Sequence, residues 1–184
     1  PGRRAWEAMS RLGRSLAARA LAPVLGVGLG RRAGRRPVAL VGRGPGLVGD
    51  PGGTTTGRAL AGVEQVAEQA EAFRAQLAHF LDFGGSNAAL LRDNAEWLRP
   101  LRAIDLMREV GKHFPVNYML AKDSVQSRLD AGISYTEFSY MLLQAYDFLE
   151  LQRRDQGSLQ LGGSDQGGDV TAGVGLIRRR GPGT

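Results

Sequence analysis

Leu159-Gln160-Leu161-Gly162-Gly163-Ser164-Asp165-Gln166 decides the fold class of this 184-residue chain. A short apolar run, read as a strand over Ser158–Leu161, enters paired glycines, and a polar cluster follows where a helix over 165–180 should begin. In α/β folds this order places a polar ligand at the carboxyl end of a strand. Glycines admit close backbone approach, and the helix start offers free N–H groups with partial positive charge. Just upstream, Tyr140, Gln144 and Asp147 stand at i, i+4 and i+7, on one face of a helix. That helix is otherwise apolar (Phe138, Met141, Leu142, Leu143, Ala145, Phe148), so its polar members face either solvent or a ligand. A buried Gln or Asp is costly unless paired, which favours the ligand.

Working outward, Pro37–Gly42 is a continuous apolar run suited to a buried parallel strand. Residues 42–57 read as a loop, 59–82 as an amphipathic helix, and Ala88–Leu91 as a short strand. Ile104–Lys112 is helical, a new element runs from Pro115 through Lys122, Asp123–Leu129 is a short helix and Tyr135–Leu151 a long one. Gly26, Gly28 and Gly30 weaken any helix near them. Strands separated by helices predict an α/β parallel sheet. Two or three strands are few for a complete doubly wound domain, so the expectation is part of a larger one.

Composition narrows the function. There is no cysteine, hence no disulfide and no thiolate metal site, and His79 and His113 are too few for a histidine metal centre. No apolar run reaches transmembrane length and the N-terminus is a poor signal peptide, so a cytoplasmic protein without a membrane partner is expected. The net charge of +6 is local: residues 1–36 carry nine arginines against Glu7 alone, whereas the remainder has 15 bases and 17 acids. An RNA-binding arm at 1–36 is one reading of that segment, and composition bias, with 22 arginines to two lysines, is the other. Gly44-Pro45-Gly46-Leu47-Val48-Gly49 matches a dinucleotide fingerprint, but Pro51 and Gly52-Gly53 oppose the helix that motif requires.

Val110-Gly111-Lys112-His113-Phe114, Val116–Lys122, Ser134–Leu149 and Gly162–Gln166 together carry a family resemblance. Residues 105–180 resemble the catalytic domain of bacterial tyrosyl-tRNA synthetases. The resemblance implies a Rossmann-like nucleotide-binding core with a helical insertion at about 84–135, within a partial catalytic domain spanning 37–184. Residues 1–36 are then a degenerate basic segment. It implies ATP-dependent activation of L-tyrosine to tyrosyl-adenylate, transfer to tRNA(Tyr), Mg²⁺ accompanying ATP, and a homodimer with residues 107–122 at the interface, including Phe114, Tyr118, Met119 and Leu120.

By the same resemblance Asp147 accepts the phenol hydrogen bond, while Tyr140, Gln144 and the loop aspartate Asp50 bind the ammonium group. Gln160 and Gln166 line the tyrosine site, and Gly163 and Asp165 meet the adenylate ribose. Bland readings exist beside these: Asp50 as a turn residue before Pro51, Asp165 as a helix N-cap. Lys112, His113, Lys122 and Arg128 are either a phosphate patch or solvated surface. A carboxylate left unpaired by phenylalanine rejects it strongly, as is established for tyrosyl synthetases. A tryptophanyl relative is disfavoured because Asp147 suits a phenol better than an indole.

The sequence departs from the family at its signature histidines. Counting back from Gly34-Arg35-Arg36-Pro37, their place is taken by Ala17-Ala18-Arg19-Ala20, framed by Ser15-Leu16 and Leu21, and Trp6 falls near the family's first-strand tyrosine. Pro45, Gly167 and Asp169 replace a threonine, a tryptophan and an asparagine, and Thr184 precedes the family's lysine-rich loop. These departures predict a truncated form whose tyrosine half-pocket persists without its ATP half. No catalytic or metal-ligating residue is assigned. The alternative is a non-catalytic tyrosine-binding or dimerising remnant.

Overall fold

The computed structural model describes residues 26–42, 72, 75–161 and 167–180. Two parallel strands, β1 (Val38–Val41) and β2 (Leu90–Asp93), pair with Val38 opposite Leu90 and Val41 opposite Asp93. Parallel pairing requires a crossover between them, here residues 42–89. Then come α1 (Ala95–Leu98), α2 (Ala103–Glu109), a 3₁₀ turn (Gly111–His113), α3 (Val116–Leu120), α4 (Asp123–Leu129), α5 (Tyr135–Asp155) and α6 (Gly167–Arg180).

Each boundary has a local cause. The Leu90 N–H donates to the Pro37 carbonyl, which opens the ladder two residues later than the sequence predicts for this strand. Asp93 then turns the chain, its Oδ1 accepting from the Ala95 N–H at 2.9 Å. At the start of α5, Ser134 Oγ accepts from the Glu137 N–H while Glu137 Oε2 accepts from the Ser134 N–H, a reciprocal capping box. Arg128 of α4 pairs with the same Glu137 at 2.9 Å, which fixes α4 against that cap. Gln156, at φ 54° and ψ 36°, ends α5 in the left-handed region.

Helices α5 and α6 make the core. Met141, Leu142, Ala145 and Leu149 of α5 pack with Ala172 and Leu176 of α6, and Val110, Phe114, Met119 and Val125 close the cluster. The α5–α6 approach depends on Gly173. A Cβ placed there would lie 2.7 Å from Phe148 Cδ2 and 3.2 Å from Phe148 Cβ, and an atom so close to the backbone has little room to yield.

Several expectations are corrected. Residues 156–161 form no strand: Leu159 is 80 % exposed, and no described residue offers this segment a ladder partner. Residues 26–32 are helical despite their glycines. The helix expected to reach 82 gives way to a turn at 78–80, and most of its span lies outside the described residues. Phe114 and Met119, expected on an interface, are buried core residues. The Gly/Pro/Thr loop and the dinucleotide-like run lie almost wholly outside the described residues, as do residues 1–25 of the arginine-rich segment.

Candidate functional site

The carboxyl end of β2 delivers two side chains to one carboxylate. The Asn94 N–H extends the strand pairing by donating to the Val41 carbonyl, and α1 carries Trp97 one turn further on. Asn94 Nδ2 donates to Asp147 Oδ2 at 2.9 Å, and Trp97 Nε1 donates to Asp147 Oδ1 at 2.7 Å. All three are buried: Asn94 is 1 % exposed, Trp97 3 % and Asp147 2 %.

Burial pushes the Asp147 carboxyl up to about 6, and the bonds from Asn94 and Trp97 oppose that rise. Desolvation penalises the charged form, whereas donors stabilise it. A carboxylate has about four acceptor positions, so two donors leave capacity for a third. The pairing demand that pointed to a ligand is therefore met in part by the protein itself.

A second layer surrounds this contact. The Arg154 guanidinium lies 5.1 Å from the Trp97 ring centroid. Arg154 Nε donates to Glu150 Oε2 at 2.9 Å, and Arg153 donates to Glu150 Oε1 at 3.3 Å. Further along, Arg92 of β2 grips Asp155 with two of its guanidinium nitrogens, Nε to Oδ2 at 2.9 Å.

Helix α5 brings Tyr140, Gln144 and Asp147 together on one face, with Tyr140 and Gln144 half-buried. Gln160 is half-buried on the segment after α5. Asp50, Gly163, Asp165 and Gln166 lie outside the described residues. The sequence alone does not single out Asn94, Trp97 or Arg154. Asn94 and Trp97 stand 53 and 50 residues before Asp147, and no spacing rule links them.

Two of the four dispersed cations are engaged within the protein itself. Arg128 is committed to Glu137, while Lys122 donates to the Gly168 carbonyl at 3.2 Å and lies over the Tyr118 ring. Arg179 donates to the His113 carbonyl, and burial, then the charges of Lys112, Arg180 and Arg179, hold the His113 imidazole below its usual value. Among the described residues no group of three or more acidic or histidine side chains could hold a metal ion.

The sequence model of the class I tRNA synthetases (W and Y) matches residues 27–183. The counted-back place of the signature histidines, at 17–20, falls outside that match. The chain is 56 % identical over 162 residues to a tyrosine–tRNA ligase of Roseiflexus castenholzii, covering 86 % of the chain and 38 % of the relative. It is 52 % identical over 150 residues to that of Anaeromyxobacter dehalogenans, covering 82 % and 36 %. The chain thus spans little more than a third of the curated relatives it matches. A solved structure, a C-terminally truncated mitochondrial tyrosyl-tRNA synthetase from Aspergillus nidulans, superposes with a TM-score of 0.72 at 26 % identity, covering 85 % of this chain and 47 % of that one. With these similarities beside the parallel strand pair and its helices, the chain belongs to the class I tRNA synthetases of the tryptophan and tyrosine type.

Proposed function

We propose that this chain supplies the amino-acid pocket of a tyrosine–tRNA ligase, with Asp147 as the acceptor for the tyrosine phenol. The carrying observation is a buried carboxylate held by two neutral donors at the carboxyl end of β2, with acceptor capacity left over. Among the described residues no arginine or lysine neutralises it, so a phenolic O–H finds an acceptor already desolvated and oriented. Tyr140, Gln144 and Asp50 receive the ammonium group, Gln160 and Gln166 line the pocket, and Gly163 and Asp165 hold the adenylate ribose. The names of the similar proteins support the choice of tyrosine over tryptophan.

In this reading the tyrosine carboxylate attacks the α-phosphate of ATP, giving tyrosyl-adenylate and pyrophosphate, and the tyrosyl group then passes to tRNA(Tyr). The chain's own residues orient the amino acid, which is catalysis by positioning. Mg²⁺ would neutralise charge on the ATP phosphates; the described residues form no site for it, and no step here depends on it. The partner is a second copy of the chain. Ile104, Met107 and Val116 are well exposed, and Tyr118 and Leu120 join them on α2 and α3 as apolar surface for an interface within 84–135. The working place is the cytoplasm; no described helix is long and apolar enough to cross a membrane.

Calorimetric titration with L-tyrosine, with L-phenylalanine as control, tests the proposal. Tyrosine-selective binding is expected, and a folded chain that binds neither amino acid refutes it. The second reading, a tyrosine-binding or dimerising remnant, is favoured by Arg19 where the counted-back alignment places the histidine signature. Tyrosine-dependent exchange of pyrophosphate into ATP separates the two: exchange excludes the remnant, and binding without exchange supports it.

A further inference from the structure

We propose that Arg154 is a positioning residue for tyrosine recognition, acting through the Trp97 indole on the Asp147 carboxylate. The inference rests on the reading of Asp147 as phenol acceptor. Trp97 reaches Asp147 through one N–H, at 2.7 Å, so a small rotation of the indole would lengthen that bond. One face of the indole is covered by the Arg154 guanidinium, 5.1 Å from the ring centroid. Arg154 is itself held, its Nε donating to Glu150 Oε2 at 2.9 Å, and Glu150 is only 8 % exposed. Glu150 follows Asp147 by three residues on α5, and Arg154 follows Glu150 by four. The chain of contacts therefore starts and ends on one rigid helix and closes around the indole. A planar guanidinium stacks on an aromatic face while its edge stays in an ion pair, which suits arginine to this place.

Arg153 provides an internal control. It pairs with the other oxygen of the same Glu150, Oε1 at 3.3 Å, and is not stacked on Trp97. An effect that runs through Glu150 or through net charge alone would appear in both arginine variants. An effect that runs through the indole would appear only at Arg154.

The experiment uses the full chain carrying Trp6→Phe, so that Trp97 is the only remaining tryptophan of the two. Arg154→Met and Arg153→Met are compared in that background, with near-ultraviolet circular dichroism confirming the fold and Arg154→Lys as a conservative variant. The first readout is Trp97 fluorescence against pH, which follows ionisation of the carboxylate bonded to the indole. Arg154→Met should raise the midpoint because the donor to the charged form is loosened; Arg153→Met should leave it in place, and Arg154→Lys should fall between. The second readout is the ratio of L-tyrosine to L-phenylalanine affinity. Arg154→Met should lower it about threefold, the size expected of a partly exposed cation–π contact, with Arg153→Met unchanged. Equal shifts in both arginine variants, or none in either, overturn the proposal. The fluorescence arm needs no ligand: its shift without any tyrosine binding would sink the assignment of the pocket while sustaining the relay to Asp147.

Discussion

Two carboxylates on α5, eight residues apart, meet the same strand end by opposite means. Asp147 is held by Asn94 and Trp97, both neutral. Asp155 is held by Arg92 through two of its three guanidinium nitrogens, and that pairing raises the arginine's pKa above its usual value. A charged fork satisfies a carboxylate and pins two elements together. Neutral donors orient a carboxylate without cancelling its charge, which leaves it hungry for one more proton donor. Proximity to β2 is common to both, so the difference in how they are held follows from the partner's charge.

The sharpest way to break the comparison is Asp147→Ala. It leaves two buried donors unpaired, and the expected loss is about 3 kcal/mol in urea denaturation, together with loss of tyrosine preference. A similar magnitude is expected from pH. The folded carboxyl sits near 6, above its ordinary value of 3.8, so the folded state binds the proton more tightly in between. Stability from this group is full in acid and declines as pH rises through about 6, by up to about 3 kcal/mol. Tyrosine affinity should run the other way, weakening below about pH 6 as the acceptor is protonated. Denaturation and calorimetry at pH 5 and 7 read both slopes, and parallel slopes would contradict the assignment.

Trp97→Phe removes one donor while keeping most of the packing. About 1 kcal/mol should be lost, and the Asp147 midpoint should move above 6, as read by carboxyl NMR. Asp155→Asn should have the smallest effect. The Arg92 side chain is 33 % exposed and can rehydrate, so about 1 kcal/mol of salt-sensitive stability is at stake, with no change in amino-acid preference. A changed preference would erase the distinction between the two carboxylates.

Much of the helical frame was legible from sequence. Asp123–Leu129 was read with the observed limits, and Tyr135–Leu151 fell four residues short of Asp155. Ile104–Lys112 was read as one helix, and the chain tightens to a 3₁₀ turn at Gly111. These elements carry their own signals in local periodicity. The strand at 158–161 was misread because an apolar run says nothing of whether a neighbour will pair with it. Phe114 and Met119 were misplaced because an apolar residue suits a core and an interface equally.

The sequence by itself determined the α/β class, the family, and the face shared by Tyr140, Gln144 and Asp147, since each follows from residue identity and spacing along one chain segment. Only the tertiary structure decided what Asp147 touches. Asn94 and Trp97 reach it from across the fold because parallel pairing of β2 with β1 aims the strand's carboxyl end at α5. Hydrogen bonds and burial depend on which surfaces meet, and that is settled when the core closes.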